Sequence, residues 1–243
     1  MNIIEIKITA STNLFLKELL NKHPLKEWTI IVAETQTAGR GQMGNYWESE
    51  PSKNITCSIL IYPHFLSIKQ QFLLSEIVAI GLKETLAKYV KQDITIKWPN
   101  DLYFEKRKLA GILIENELIN QKFSCSIVGI GLNVNQQIFK SDAPNPVSLK
   151  QITGMETDIN ILLKEIVRQI QYWYKKLKSG QNKLISQTYY NSLYCREGFH
   201  FYKDKNEIFQ AKIRLVTEEG LLCLITKTKE ERCYSFKEVS LLS

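Results

Sequence analysis

Two neighbouring stretches decide the fold of this chain, Lys97-Trp98-Pro99-Asn100-Asp101-Leu102-Tyr103 and Arg107-Lys108-Leu109-Ala110-Gly111-Ile112-Leu113-Ile114-Glu115. Pro99 fixes its own φ and favours an extended Trp98, and Asn100 and Asp101 follow as turn formers. Lys108 precedes an apolar run of strand length. We predict a hairpin in which one strand ends at Trp98, the chain turns through residues 104–106, and Lys108 opens the return strand. The same stretch also fits a surface hairpin whose charges are solvated.

The composition is that of a globular protein with a basic surface. The chain has 243 residues, 44% of them hydrophobic, which fits one large domain or a large domain with a small one. Its formal net charge is +7. Such an excess favours an anionic partner, such as a nucleotide, a nucleic acid or an acidic protein surface.

Cysteine and histidine usage indicates the compartment and excludes a metal framework. The five cysteines include no C-x-x-C pair, and their odd number fits a reducing cytoplasm better than a disulfide framework. The three histidines are scattered, so no metal site is expected. The first seven residues lack a signal-peptide pattern, and no apolar run approaches membrane-spanning length. We therefore expect a cytoplasmic protein without a membrane partner.

Two segments near the N-terminus carry polar groups beside predicted regular structure. Residues 28–33 form an uninterrupted, β-branched run typical of a buried strand. A glycine-rich loop with Arg40 follows, and such a loop can close over an anion because glycine admits close approach and a guanidinium suits phosphate or carboxylate. Earlier, Ser11, Thr12 and Asn13 precede an apolar helical pattern. They serve either as a helix cap or as polar contacts to a small ligand.

The remaining pattern predicts helices and strands in one large unit, followed by a region of short strands. Helices are predicted over residues 67–90, 158–180 and 184–193, and strands over 55–62, 94–98 and 123–135. From Arg196 onward, four short strands are predicted at 199–202, 208–216, 221–226 and 233–236. About fifty residues of this kind suggest a small barrel that packs on the larger domain.

Four motifs occur in order along the chain: Gly39-Arg40-Gly41, the two stretches quoted above, and Gly129-Ile130-Gly131-Leu132-Asn133-Val134-Asn135. Together they resemble the biotin–protein ligases, from about Thr9 to the C-terminus, and specifically the short class without an N-terminal DNA-binding domain. The resemblance implies an α+β fold. Residues 1–195 would form a class II synthetase-like catalytic domain, a mixed and largely antiparallel sheet flanked by helices, and residues 196–243 an SH3-like β-barrel.

The resemblance also implies a reaction and its partners. Biotin's carboxylate attacks the α-phosphate of ATP, which is bound with Mg²⁺, to give biotinyl-5′-AMP and pyrophosphate. A lysine of a biotin carboxyl carrier domain then takes the biotin as an amide. No DNA partner is implied. Members of this family are often dimeric through a sheet edge, so a homodimer is left open.

The family's site residues map onto positions of this sequence. The catalytic residues implied are Lys108 and Arg40, which neutralise the two anions, and Asp101, which would orient or deprotonate the incoming lysine. The biotin-binding residues implied are Ser11, Thr12, Asn13, Gln36, Arg40, Gly41, Gln42, Lys108, Gly111 and Gly129. The ATP-binding residues implied are Arg40, Gln42, Asn45, Trp47, Asn100, Lys108 and Asn133. No protein-held metal is implied.

One departure concerns the loop after Gly41. Many members carry arginines there, whereas this chain has Gln42, Met43 and Asn45. Two phosphate contacts are then weaker or supplied elsewhere, for example by Lys53 or Lys106. A neutral amide holds a phosphate less strongly than a guanidinium does, so we expect biotinyl-AMP to escape more readily.

Three other functions were weighed. A lipoate or octanoate attachment enzyme of the same fold is the nearest alternative, and the motifs around Asp101 and Lys108 argue against it. A nucleic-acid-binding protein is a second, but a basic stripe interleaved with aromatics is missing from the sequence. A catalytically inactive binding module is a third, and Arg40, Lys108 and Asp101 argue against it.

Overall fold

A computed structural model describes residues 2–141 and 145–242, except for the side chain of Met43. The larger sheet contains seven strands, β1 (Asn2–Thr9), β2 (Thr29–Gln36), β3 (Ile55–Ile61), β4 (Ile94–Lys97), β5 (Asp101–Phe104), β6 (Arg107–Ile119) and β7 (Lys122–Leu132). Their order is β1-β2-β3-β7-β6-β5-β4. β1 and β2 are parallel, and the other neighbours are antiparallel. The sheet is therefore mixed, as the resemblance implies.

Helices cover both faces of this sheet. They are α1 (Thr12–Lys22), α2 (Phe72–Leu86), α3 (Leu149–Thr153), α4 (Ile159–Lys178) and α5 (Asn182–Asn191). α2, α4 and α5 bury the main core on one face, whereas Leu16 of α1 packs against a separate cluster that includes Ile31 and Leu60. Ile30 and Ile59, the neighbours of those two residues, belong to the main core. Because both faces are covered, every residue of β3 is buried, and so are the first three residues of β2.

Most predicted elements are present with adjusted ends. The prediction for α4 is confirmed: Asp158 caps it through hydrogen bonds from the backbone N–H groups of Asn160 and Ile161. Gly180 follows the helix with a left-handed φ of 76°. α2 begins at Phe72 rather than residue 67, since a 3₁₀ turn precedes it. The strands β1, β5 and β12 (Val239–Leu242) were not predicted.

The predicted single hairpin is wrong, because the segment forms two successive hairpins. β4 ends at Lys97 and pairs directly with β5, which pairs in turn with β6. Leu102 and Phe104 are buried, so the residues after the turn form a strand of their own. The turn formers before them concealed this short strand in the sequence.

The C-terminal region forms a second, antiparallel sheet. Before β12 its strands are β8 (His200–Asp204), β9 (Ile208–Val216), β10 (Leu222–Thr226) and β11 (Glu231–Tyr234), and their order is β11-β10-β9-β8-β12. It is joined to the larger unit by the indole Nε1 of Trp98, which donates to the carbonyl of Gly220 at 3.1 Å. In the described part of the chain, no helix is long and apolar enough to cross a membrane.

A disulfide joins Cys223 and Cys233, contrary to the expectation of reduced cysteines. The two residues face each other across β10 and β11. Opposite residues of an antiparallel pair lie within disulfide reach, and this adjacency depends on a hairpin that the spacing of ten residues does not reveal. Cys57, Cys125 and Cys195 are free.

Candidate active site

A cavity of about 90 Å³ opens where β6 and β7 meet the start of α1 and the glycine-rich loop. Gly111 lies opposite Gly131 across the two strands, and Leu113 lies opposite Gly129. The glycines leave room above the sheet that neighbouring side chains fill. A Cβ on Gly129 would lie 2.6 Å from Asn13 Oδ1, and one on Gly131 would lie 2.6 Å from Trp47 Nε1.

Polar side chains gather at the α1 end of the cavity. Ser11 is the N-cap residue of α1, but its side chain makes no capping hydrogen bond. The backbone N–H and the hydroxyl of Thr12 both donate to Gln36 Oε1, at 2.8 and 3.1 Å. Asn13 Oδ1 accepts from Ser58 Oγ at 2.5 Å, and its Nδ2 donates to Glu115 Oε2 at 2.7 Å. This buried cluster offers both donors and acceptors to a ligand.

Two cations face the same cavity. Lys108 Nζ lies 2.7 Å from Asp101 Oδ2, and each side chain is one-quarter exposed. Arg40 Nη2 lies 3.0 Å from Glu115 Oε1. Arg40 and Lys108 come from distant parts of the sequence, and both line the cavity. An anion that enters between them would therefore meet two positive groups.

Burial dominates the electrostatics around Asp101. It raises the pKa of this carboxyl above its ordinary value, and the neighbouring Lys108 opposes the rise only in part. Burial likewise lowers the pKa of Lys97, while the charge of Asp101 acts in the opposite direction. Asp101 thus has the raised proton affinity expected of a group that accepts a proton during a reaction.

Trp47 forms a lid over the glycine-lined strands. Its ring lies 5.6 Å from Lys108 Nζ. Its indole Nε1 is buried, and no described residue accepts its proton. The loop that carries it folds back on itself, since the backbone N–H of Trp47 donates to Gly39 O at 3.0 Å and that of Gly41 to Asn45 O at 2.6 Å. A flat indole above an open strand surface is suited to stacking on another ring.

A profile of the family described as "Biotin/lipoate A/B protein ligase family" matches residues 5–133, more than half of the chain. The chain belongs to the biotin/lipoate A/B protein ligase family. This family member is 27% identical over 236 residues to the bifunctional ligase/repressor BirA of Bacillus subtilis, an alignment that covers 94% of this chain and 70% of that protein. It is 28% identical over 166 residues to the biotin–[acetyl-CoA-carboxylase] ligase of Mycobacterium tuberculosis, covering 67% of this chain and 60% of that one.

Solved structures extend the similarity to the whole family fold. The biotin protein ligase from Aquifex aeolicus in complex with biotin and ATP superimposes with a TM-score of 0.80 at 27% identity, covering 99% of this chain and 98% of that chain. The biotin protein ligase from Leishmania major in complex with biotinyl-5-AMP gives a TM-score of 0.66 at 17% identity, with 96% and 98% coverage, and shows likeness of fold alone. The predicted α+β fold is thereby confirmed.

The structure gathers nearly all of the predicted site residues of this ligase-family chain around the one cavity. The lining includes Ser11, Thr12, Asn13, Gln36, Arg40, Gly41, Gln42, Asn45, Trp47, Asn100, Asp101, Lys108, Gly111 and Gly129. Asn100 is also engaged structurally, because its Nδ2 donates to the carbonyl of Ile112. The roles assigned to these residues stay predictions.

Three residues to which the sequence assigned ATP or phosphate contacts are not in the cavity lining, namely Asn133, Lys53 and Lys106. Asn133 Nδ2 donates to the carbonyl of Val147 at 3.1 Å, and its backbone ties residues 109 and 149 together. The ATP contact of Asn133 stays a prediction. In this structure, the hydrogen bonds of Asn133 connect β6, β7 and the segment before α3.

Three residues of the site were not singled out in the sequence. Ser58 lies within the predicted strand 55–62 and was given no role there, yet it holds Asn13. Glu115 belongs to a quoted motif, but its bonds to Asn13 and Arg40 depend on contacts across the fold. Phe236 reaches the cavity from the C-terminal region. Only the alternation of side chains along β3 could have indicated Ser58.

Proposed function

We propose that this protein is an ATP-dependent biotin–protein ligase, which activates biotin as biotinyl-5′-AMP and transfers it to a lysine of a biotin carboxyl carrier domain. The observation that carries the proposal is the convergence of Arg40 and Lys108 on a cavity whose far end is a donor-and-acceptor cluster around Asn13. A ureido ring needs both kinds of hydrogen-bonding group, and a carboxylate needs cations.

The first step joins two anions, so charge neutralisation is its main requirement. Lys108 is assigned to the biotin carboxylate and the α-phosphate, and Arg40 is assigned to the same charges from the loop side. Both cations are held in place by carboxylates before the substrates arrive. Trp47 is assigned to the nucleotide base, on which its ring can stack.

The second step needs a lysine amine that has lost its proton. Asp101 is assigned to receive or orient that amine, and the raised pKa of its carboxyl is the electrostatic basis of this assignment. Mg²⁺ enters with ATP, where it neutralises phosphate charge and is held mostly by phosphate oxygens. Of the described residues that line the cavity, Asp101 carries the one carboxylate, so it is the side chain that would contact this cation.

The proposal has three further parts. Residues 1–195 are taken as the catalytic domain and residues 196–243 as the C-terminal domain, a division supported by the two separate sheets. The cytoplasm is proposed as the compartment, since ATP and the carrier domain would be met there. A homodimer through a sheet edge stays a prediction, and β1 is an edge strand on which it can be tested.

Biotin-dependent exchange of labelled pyrophosphate into ATP tests the activation step directly. Wild-type protein is expected to exchange only when biotin is present, and Lys108→Ala is the matched inactive control. Exchange that is independent of biotin, or equal in the two proteins, refutes the proposal.

A lipoate or octanoate ligase is the competing activity within the family. The polar cluster of Thr12, Asn13 and Gln36 speaks against it, because these donors and acceptors suit a ureido group, which lipoate and octanoate lack. A site built for hydrogen bonds rejects an analogue that lacks them by roughly 10⁴-fold or more. Calorimetric titrations with biotin and with lipoate separate the two activities. Tighter binding of lipoate than of biotin would reverse the assignment.

A further inference from the structure

A buried tyrosine lies directly behind the turn that carries Asp101. Tyr189 on α5 is completely buried. Its hydroxyl donates to the carbonyl of Pro99 at 2.7 Å, and its ring meets that of Phe72 edge to face with centroids 5.6 Å apart. Two different contacts thus fix this side chain, and its single polar atom is directed at one peptide group.

The peptide after Pro99 leads straight to the site. Asn100 is held from the opposite side by β6: its carbonyl accepts from the N–H of Ile112 at 3.2 Å, and its Nδ2 donates to the carbonyl of Ile112. Asp101 comes next and pairs with Lys108. Three consecutive residues are therefore clamped between α5 and β6, and the third carries the carboxylate of the ion pair.

The strand before the turn has an independent attachment to the segment after α5. Ile96 N–H donates to the carbonyl of Ser192, and Tyr194 N–H donates to the carbonyl of Ile96, both at 2.8 Å. Loss of the Tyr189 hydroxyl would leave these backbone bonds intact. The hydroxyl is consequently a local constraint on the turn, separate from the bonds that hold β4 in the sheet.

The hydroxyl of Tyr189 remains a donor throughout the working pH range. Burial raises its pKa well above the ordinary value, and the negative charges of Glu76 and Asp101 add to the rise. Tyr189 is thus electrostatically linked to the same carboxylate that its hydrogen bond helps to place.

We propose that Tyr189 is a positioning residue for the Asp101–Lys108 ion pair and acts through the carbonyl of Pro99. This inference rests on the proposed ligase function. Tyr189 touches neither substrate. It fixes the position of the turn, so that the Asp101 carboxylate can contact both Lys108 and an incoming amine.

Tyr189→Phe keeps the ring and removes the hydroxyl, so it isolates the contact to Pro99. We expect kcat for biotin transfer to fall about ten-fold, because small misplacements of catalytic groups carry costs of this order. The KM for biotin should change less than kcat, since Asn13 and its neighbours lie elsewhere in the cavity and Lys108 alone among the assigned biotin contacts pairs with Asp101. The acidic limb of the pH–rate profile should move upward as the Asp101–Lys108 pair loosens.

Tyr190→Phe is the matched control. Its hydroxyl lies 3.4 Å from the carbonyl of Ile213 in the C-terminal sheet, away from the turn. The Tyr190→Phe substitution removes a phenolic oxygen from the next residue of the same helix. We expect this variant to keep the wild-type kcat and pH profile. A loss in Tyr190→Phe equal to that in Tyr189→Phe would overturn the inference.

A double-mutant cycle with Asp101→Asn distinguishes positioning from general destabilisation. If Tyr189 acts through Asp101, Tyr189→Phe should lower transfer no further in the Asp101→Asn protein. The inference is overturned if the losses of Tyr189→Phe and Asp101→Asn multiply in the double variant. It is also overturned if Tyr189→Phe alone keeps the wild-type kcat and pH profile. If Tyr189→Phe is unfolded in the assay, an osmolyte that restores the folded fraction, followed by near-UV circular dichroism, permits the same comparison. Absence of biotin-dependent exchange in the wild type would instead refute the proposed function.

Discussion

Gly129 and Gly131 lie two residues apart on β7, and they allow the two substrate assignments to be tested separately. Added methyl groups at these positions would meet different side chains: Gly129→Ala is directed at the amide of Asn13, and Gly131→Ala at the indole of Trp47. If Asn13 faces biotin and Trp47 faces ATP, each alanine should impair the binding of one substrate only.

The size of the biotin effect follows from the bonds of Asn13. A Cβ at position 129 would lie 2.6 Å from Asn13 Oδ1, so the amide must move. Movement breaks its bonds to Ser58 Oγ at 2.5 Å and to Glu115 Oε2 at 2.7 Å. An amide that has moved loses its alignment with the ureido group; one or two lost hydrogen bonds to the ligand, at about 1–2 kcal/mol each, correspond to about 1–4 kcal/mol, or roughly 5- to 1000-fold in the Kd for biotin.

Gly131→Ala should leave biotin binding unchanged and weaken ATP. The displaced indole would lose its position 5.6 Å from Lys108 Nζ and its stacking on a base, which together correspond to about 1–3 kcal/mol, or roughly 5- to 150-fold in the KM for ATP. Calorimetry with biotin and exchange kinetics with varied ATP measure the two effects. The reasoning is refuted if both variants impair the same substrate, or if neither changes either constant.

Three further predictions concern single side chains. Lys108→Ala should lower pyrophosphate exchange by about 100-fold or more, because the biotin carboxylate and the α-phosphate lose a cation that neutralises them as they join; unchanged exchange would exclude Lys108 from the activation step. Gln42→Arg should slow the release of biotinyl-AMP by about ten-fold, since a guanidinium holds phosphate more tightly; chromatography of the free intermediate measures it, and an equal rate contradicts the prediction. Burial raises the pKa of Glu76 to about 8. The folded state therefore holds this proton more tightly than the unfolded chain, so stability should fall by at most about 1.4 kcal/mol per pH unit as pH rises from the ordinary pKa towards 8. In Glu76→Gln this part of the fall should vanish from urea titrations, and an identical pH dependence in the two proteins would contradict it.

The sequence predicts those parts of the site that lie in contiguous motifs. Asp101 and Lys108 are seven residues apart on the paired strands β5 and β6, so the local hairpin brings them near each other although Asp101 lies opposite Gly111. The convergence of Arg40 on the same cavity could be inferred from the family resemblance, whereas its partner Glu115 required the packed fold. Residues outside the motifs carried no comparable indication.

Other features depend on long-range packing that periodicity does not report. Tyr189 lies in the predicted helix 184–193, and helical spacing accounts for its buried ring but does not reveal the contact of its hydroxyl with Pro99. β1 is an exception, since it was missed although Ile4, Ile6 and Ile8 alternate with Glu5 and Lys7, a pattern typical of a half-exposed strand. Phe236 was assigned to a short strand, yet it lies beyond the end of β11 and reaches the cavity.

In the ligand-free protein, Glu115 competes with incoming anions for Arg40. Its carboxylate already satisfies Arg40, and the same side chain holds Asn13. Small ions such as acetate or phosphate would have to displace the Glu115 carboxylate from Arg40, and this carboxylate has a high effective concentration because it belongs to the same chain. The pair is more than a third exposed and therefore weak, so a vitamin that brings many contacts at once displaces it readily. The arginine is thus shielded from the ordinary anions of the cell while remaining available to the ligand that fits.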